Sequence, residues 1–265
     1  MFKNNVVIIT GASSGIGREL ALQFAKQGAL LSLAARDLSR LEKVAEECCA
    51  LEAKAIAIQT DVTDKEQCKK LIEQTVSEYG RIDTLVNNAG ITMWAMFEEI
   101  ENIDMFETIM KVNYFGSVYC TYYALPYLKK TKGRLVGISS ITGRTGVPTR
   151  TGYAASKHAM AGFFDSLRIE LMNTGVTVTV IYPGFVVSEV RERALGLNGK
   201  PIGKSHLDES KIMSTKECVK QILNSVSKRK REQVMTPKAK FGLWLKLVLP
   251  GLVDKISLKS FEKGR

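Results

Sequence analysis

Histidine is nearly absent from this chain: His158 and His206 are the only two in 265 residues. A zinc site built on imidazole or a Ser-His-Asp relay has almost no material to draw on. The five cysteines, Cys48, Cys49, Cys68, Cys120 and Cys218, form an odd set without metal-ligand spacing. Cys48 and Cys49 are adjacent on what reads as a helix, where neighbours point to different faces. They read as reduced thiols in a reducing compartment, and no metal is expected. Proline is scarce, six against 21 glycines, and no repeat, low-complexity tract or linker interrupts the chain. That excludes collagen, coiled coil and disorder. No stretch approaches the roughly 18 to 20 consecutive apolar residues of a membrane-spanning helix. The opening Met1-Phe2-Lys3-Asn4-Asn5 runs into Val6-Val7-Ile8-Ile9, which Gly11 ends too early for a secretion signal. Neither export nor an N-terminal anchor is expected, which places the protein in the cytoplasm, with or without peripheral membrane attachment.

Acidic residues are too few to balance the basic ones, and the shortfall is local. Residues 216–265 carry 13 Lys/Arg against 4 Asp/Glu, so +9 of the net +11 lies there. The short run Lys228-Arg-Lys-Arg231 has no recognition fold around it, and nucleic-acid binding is not expected.

The remaining composition, 45% hydrophobic and 25% charged, is that of an ordinary folded, soluble protein, and 265 residues fit one large α/β domain or two small ones; the pattern along the chain favours one domain. Apolar runs at residues 6–9, 30–34, 55–59, 84–86, 134–139 and 177–182 alternate with amphipathic stretches. Continuous β-branched runs of this length are what strands buried on both faces require, so the pattern predicts βαβ units wound into one parallel sheet with helices on both faces. Ser39-Arg-Leu-Glu42, Thr63-Asp-Lys-Glu66 and Ser214-Thr-Lys-Glu217 match the capping box and predict helix starts at each. Long helices are expected over residues 105–129 and 152–173, and a last edge strand at Gln233-Val-Met235. The polar stretch at about 188–213 is too long for an ordinary connection and reads as a substrate flap.

Directly after the first strand stands Thr10-Gly11-Ala12-Ser13-Ser14-Gly15-Ile16-Gly17, followed by a helical stretch. Strand, glycine turn and helix start together make an anion site, because glycines let backbone approach a pyrophosphate and free amides attract it. The spacing is G-x-x-x-G-x-G rather than the general G-x-G-x-x-G fingerprint, and taken alone it also fits a merely structural turn. Nineteen residues past Gly17, the chain reads Ala35-Arg36-Asp37 at the end of the second strand. An NAD site usually presents a carboxylate there, whereas Arg36 pairs with a ribose 2′-phosphate, so NADP(H) is favoured over NAD(H). The alternative has Arg36 in solvent and Asp37 on the ribose.

Thr10 to Gly17, Asn87-Asn88-Ala89-Gly90, Asn113, Ser140, Tyr153-Ala-Ala-Ser-Lys157 and Pro183-Gly184, in this order, resemble the short-chain dehydrogenase/reductase family over about residues 5–190. The resemblance implies a Rossmann-type fold and hydride exchange between NAD(P)(H) and an alcohol or carbonyl compound. The residue types suit that chemistry. A Tyr153 hydroxyl serves as proton donor once its pKa, near 10 in water, is brought down, and Lys157 at i+4 shares its helical face. By resemblance, Ser140 orients the substrate oxygen, and Asn113 interrupts its helix to support a proton relay. The same resemblance puts Gly11, Ser13, Ser14, Gly15, Ile16 and Gly17 on the pyrophosphate and Asp61-Val62 on adenine. It puts Asn88, Ala89 and Gly90 under the adenosine ribose, Tyr153 and Lys157 beside the cofactor, and Pro183, Gly184, Val186 and Ser188 around the nicotinamide. Singly each residue has a plainer reading: core aromatic for Tyr153, solvated charge for Lys157, turn for Ser140, cap for Asn113. Asp83 reads as structural, and His158 as a packing or surface residue without a catalytic role.

Ile91-Thr-Met-Trp94-Ala-Met96-Phe97 predicts an apolar wall for a bulky lipophilic carbonyl or alcohol substrate, or else core or interface packing. The tail, Phe241-Gly-Leu-Trp244-Leu-Lys-Leu-Val-Leu-Pro250 within a basic extension at about 238–265, is similar to that of eleven-beta-hydroxysteroid dehydrogenase-like members. An apolar helix flanked by Lys/Arg suits either a bilayer surface or a second subunit, ahead of a merely solvated charged tail. The family resemblance implies a homodimer or homotetramer paired through the two long helices. The rival reading keeps the NADP(H) site without turnover, as a regulatory or membrane-associated scaffold.

Overall fold

The computed structural model describes residues 1–203 and 212–262. Seven parallel strands, β1 (Val6–Thr10), β2 (Leu30–Ala35), β3 (Lys54–Gln59), β4 (Thr84–Asn87), β5 (Arg134–Ile138), β6 (Thr177–Tyr182) and β7 (Glu232–Val234), lie in the order β3-β2-β1-β4-β5-β6-β7. Every residue of β1 and β4 is buried, the environment that continuous apolar runs anticipate. The period-two alternation sorts neighbours to opposite faces. Val7 and Ile9 pack with Leu20 and Phe24 of α1 (Gly15–Ala25), Leu41 and Val44 of α2 (Leu38–Cys49), and Val219 and Ile222 of α7 (Thr215–Ser227). Ile8 faces the other layer, with Leu71 of α3 (Lys65–Tyr79), Cys120 and Leu128 of α5 (Gly116–Thr131), and Phe164 of α6 (Thr151–Glu170). The doubly wound sheet is therefore as expected, including β7 at its edge.

Local chemistry corrects several boundaries. Asp37, not Ser39, caps α2 by accepting a hydrogen bond from the Arg40 amide, and Asp64, not Thr63, caps α3. In both places a carboxylate two residues before or one residue after the hydroxyl takes the cap. Ser214 does cap α7, accepting from the Glu217 amide at 3.2 Å. The stretch 105–129 is not one regular helix. A short α4 (Met105–Met110) passes through a widened π turn, Lys111–Phe115, into α5. The chain then breaks at Leu249 between α8 (Pro237–Val248) and α9 (Pro250–Glu262), as Pro250 requires. All five cysteines are free. Asp83 holds the start of β1 by accepting from the Val6 amide at 2.9 Å, and His158 is exposed, so both are as read. Among the described residues no group of His, Cys, Asp and Glu is disposed to hold a metal, and no helix is long and apolar enough to cross a membrane.

Strand order reverses between β1 and β4. In open parallel sheets the crevice beyond the carboxyl ends of the strands at that point is where ligands bind, because the flanking loops leave in opposite directions. Here the turns after β1, β4, β5 and β6 open onto one cleft of about 1910 Å³.

Candidate active site

The glycine turn is built by contacts that tolerate nothing larger. Gly11 has φ +65°, and a Cβ there would lie 2.8 Å from Ala89 Cα. A Cβ on Gly17 would lie 2.2 Å from the Gly11 oxygen and 2.6 Å from Asn88 Nδ2. Thr10 and Asn88 tie the ends of β1 and β4 together. Thr10 Oγ1 accepts from the Asn88 and Ala89 amides, both at 3.0 Å, and Asn88 Nδ2 donates to the Thr10 oxygen at 2.9 Å and the Gly11 oxygen at 3.2 Å. The Asn88 side chain is thus committed to the scaffold, and what it offers the cleft is backbone. Ser14 makes no side-chain capping bond and the first turn of α1 holds no acid. Its amides face an anion without competition. Gly11, Ser13, Ser14, Gly15 and Ile16 all line the cleft, and Gly17 sits buried behind them. This cradle, closed to a Cβ at Gly11 and Gly17 and floored by unclaimed amides, fits a dinucleotide pyrophosphate.

Arg36 is exposed on the rim of the cleft, and among the described residues its guanidinium makes no hydrogen bond or ion pair. Asp37 is spent on capping α2. Asp61 Oδ1 accepts from the Thr63 amide and hydroxyl at 2.9 and 2.8 Å, which stiffens the turn after β3, and Val62 is buried beside it. Both line the cleft, as do Ala89, Gly90, Pro183, Gly184, Val186 and Ser188.

Three of the four expected catalytic side chains, Ser140, Tyr153 and Lys157, line that same cleft. Ser140 follows β5, and its Oγ accepts from the Thr142 amide at 3.2 Å, which orients the hydroxyl. Tyr153 and Lys157 stand one turn apart at the start of α6. Lys157 is buried, with Nζ donating to the Ile138 oxygen at 2.8 Å and lying 5.8 Å from the Tyr153 ring centre. An ammonium has three donors, so the strand carbonyl leaves others for the cleft. Burial drops the Lys157 ammonium to about 8, because a charged amine loses hydration there. Burial also raises the Tyr153 phenol, while hydrogen bonding from Ser140 and the charge of Arg150 pull it back down. The amino end of α6, whose first turn carries no acid, adds a positive dipole at the same place.

Asn113 does not line the cleft. It lies fully buried in the π turn, where Oδ1 accepts from the Ile91 amide at 2.8 Å, and Nδ2 donates to the Ile91 oxygen at 2.9 Å and Ser156 Oγ at 2.9 Å. Its side chain therefore joins the strand-end loop to α6 behind Lys157.

The apolar wall differs from expectation. Ile91, Thr92 and Trp94 line the cleft, but Met93 is buried core and Phe97 turns outward against Phe106. Much of the wall comes instead from Val147, Pro148, Phe185, Leu243, Ile256 and Phe261. Ser188, Val190 and Leu195 of the flap also reach the cleft, and Leu195 exchanges backbone hydrogen bonds with Thr92 and Trp94 at 2.9 and 2.8 Å. Flap residues 204–211, which include His206, and tail residues 263–265 lie outside the described residues. Unanticipated on the cleft are Arg40, Arg150, Arg191 and Arg193. Arg40 meets both oxygens of Glu189 at 2.8 Å, an interaction across 149 residues that no local pattern signals.

Comparison with known proteins agrees with this architecture. The family model described as short chain dehydrogenase matches residues 5–195. The chain is 38% identical over 252 residues to 11-beta-hydroxysteroid dehydrogenase-like 4A of Arabidopsis thaliana, spanning 94% of this chain and 82% of that one. It is 34% identical over 264 residues to Dehydrogenase/reductase SDR family protein 7-like of Dictyostelium discoideum, spanning 97% and 82%. Among solved structures, an alcohol dehydrogenase from Thermococcus sibiricus complexed with 5-hydroxy-NADP superposes with TM-score 0.76 at 27% identity, covering 88% of this chain and 96% of that one. A short chain dehydrogenase/reductase from Burkholderia phymatum in complex with NAD gives TM-score 0.84 at 23% identity, covering 95% of each chain, a likeness of fold alone. With the glycine cradle, the Tyr-Lys turn and these relatives in agreement, the chain belongs to the short chain dehydrogenase family of oxidoreductases.

Proposed function

We propose that this protein is an NADP(H)-dependent oxidoreductase interconverting an alcohol, foremost a secondary one, and the corresponding ketone or aldehyde on a lipophilic substrate. The observation that carries the reading is that Tyr153, Ser140 and Lys157 open onto the same cleft as the glycine cradle. When bound there, a nicotinamide cofactor supplies the hydride to a carbonyl carbon or takes it from an alcohol carbon. Ser140 and Tyr153 hydrogen-bond the substrate oxygen, and in reduction Tyr153 gives that oxygen its proton. Lys157 holds positive charge beside the phenolate that remains, and its free donors bind cofactor ribose. Asn113 fixes the turn that backs Lys157 and supports the relay that returns the proton. Asp61 and Val62 meet adenine, Ala89 and Gly90 lie under the adenosine ribose, and Pro183, Gly184, Val186 and Ser188 frame the nicotinamide end.

Arg36, uncommitted on the rim while Asp37 is consumed by a helix cap, supports the phosphate-bearing cofactor. Arg36→Asp is expected to weaken NADPH binding by about 10- to 100-fold, the value of a charge-assisted contact plus new repulsion, and NADH binding by less than about threefold. Titrating both cofactors against intrinsic fluorescence reads this, and equal losses would remove the 2′-phosphate assignment.

The apolar side chains of α8 and α9 on the cleft mouth support a lipophilic substrate, and relatives named for a hydroxysteroid point the same way. Outward, Trp244 and Leu247 are 59% and 84% exposed, which supports a covered surface there, membrane or second copy. Tyr122 on α5 and Ile169 on α6, 72% and 66% exposed, support pairing through those two helices. The direct test is loss of NADPH absorbance when the protein meets a panel of steroid, retinoid, quinone and simple ketone substrates. Consumption by one of them supports the enzyme, and tight NADPH binding without consumption anywhere would favour the scaffold.

A further inference from the structure

Arg150 is a buried guanidinium without a carboxylate. It is 5% exposed and stands one turn before Tyr153, at the start of α6. Nη1 donates to Thr92 Oγ1 at 2.6 Å and to the Met93 oxygen at 2.7 Å, and the guanidinium lies 4.3 Å over the Trp94 ring. All of these partners are neutral. Among the described residues the group makes no ion pair, which is unusual for a charge taken out of water. Arg150 and Tyr153 line the same cleft, Arg150 as the residue just before α6 and Tyr153 in the first turn of that helix. The loop from the end of β4 fixes the guanidinium from one side and α6 delivers it from the other, so its position is set by two elements.

We propose that Arg150 is a positioning residue for proton transfer, a second fixed cation that favours the Tyr153 phenolate when its proton passes to the substrate oxygen. The inference rests on Tyr153 being the acid/base. In reduction, the phenol O–H bond breaks, the proton joins the substrate oxygen, and the phenolate left behind faces two cations, Lys157 and Arg150. The guanidinium neither gives nor takes a proton. Its charge draws the phenol downward, while burial brings its own ionisation to only about 10. Lys157 falls to about 8, so between about 8 and 10 Arg150 remains the charged partner after the ammonium has begun to lose its proton. The charged and titratable groups around the phenol are Lys157 on its own helix, Ser140 from the loop after β5, and Arg191 from the flap, which opposes Arg150.

The test is a pH titration of protein carrying ¹³C at the tyrosine ring carbon bonded to oxygen, with Tyr153→Phe assigning the signal. Arg150→Met keeps the stem over Trp94 and removes the charge, and is expected to move the Tyr153 midpoint up by about one pH unit. Arg150→Lys keeps a charge and is expected to stay within about a third of that shift. Arg150→Gln replaces the Met variant if the latter does not fold, judged by circular dichroism. The pH dependence of alcohol oxidation should move with the NMR midpoint in each variant. An unmoved midpoint in the uncharged variant, equal shifts in Arg150→Met and Arg150→Lys, or a rise only in KM for carbonyl substrates bearing a carboxylate would each overturn the proposal. A wild-type protein that consumes no NADPH with any carbonyl would instead defeat the functional reading, because the NMR midpoint is measured without substrate or cofactor.

Discussion

Tyr153→Phe is expected to lower kcat by about three orders of magnitude while leaving the NADPH dissociation constant within about twofold of wild type. The substitution deletes one oxygen and keeps the ring, which packs against Met93, Met105 and Ile109 at the start of α6. Among the described residues nothing else on the cleft is placed to give the proton. Ser140 carries a hydroxyl of far higher pKa that is already engaged with the Thr142 amide. Lys157 stands one turn further along α6, with one ammonium donor on the Ile138 oxygen and the others assigned to cofactor ribose. Stability should barely change, since the packing of the ring survives. Steady-state kinetics with the best carbonyl substrate, beside fluorescence titration of the cofactor, separate lost chemistry from lost binding. A variant that loses both equally would point to a collapsed site rather than a missing proton donor.

Gly17→Ala is expected to cost at least about 100-fold in cofactor affinity and about 1–3 kcal/mol in stability. Alanine is favoured over glycine within a helix by about 1 kcal/mol, so helix propensity alone predicts a gain. Sterics decide otherwise. The new Cβ would meet the Gly11 oxygen at 2.2 Å and Asn88 Nδ2 at 2.6 Å, and neither retreats freely. Gly11 is already at φ +65° against Ala89, and Asn88 is clamped to Thr10 and Gly11. Either the α1 terminus moves away from the turn or the latch between β1 and β4 opens, and both misplace the amides meant for pyrophosphate. Urea unfolding and NADPH titration read the two effects. Binding within about threefold of wild type would mean that the turn is a structural corner only.

What the sequence makes legible is what local pattern controls. The strands are readable because a doubly buried strand must be apolar throughout, and the glycine turn because its close approaches leave no alternative residue. Capping is readable only to within a residue or two. Thr63 and Asp64, like Asp37 and Ser39, are both competent, and backbone geometry chooses the carboxylate in each case. The π turn at Asn113 hides in a stretch whose apolar periodicity survives the extra residue, and resemblance, not pattern, pointed to the interruption. Residues brought from afar are the ones that escape. Arg150 looks like any solvated charge until Thr92, Met93 and Trp94 fold over it, and Met93 looks like pocket lining until Gly152 of α6 settles on its sulfur at 3.2 Å. The C-terminal wall of the cleft, with Leu243, Ile256 and Phe261, depends on how α8 and α9 dock, which the composition of those helices does not state.

We propose that the Tyr153 phenol gives up its proton because the buried Lys157 ammonium, 5.8 Å from its ring centre, favours the phenolate. Lys157 loses its charge as the pH passes about 8, and the phenol loses its own proton at still higher pH, so both changes reduce the capacity to protonate a carbonyl oxygen. The decisive measurement is the single-turnover rate of NADPH oxidation by a ketone substrate, with cofactor bound beforehand, at a series of pH values. The rate should be level below about 7 and fall progressively from about 8 upward, with Lys157→Met already slow at every pH. A wild-type rate that stays flat through that range, matched by a fast Lys157→Met, would contradict the account.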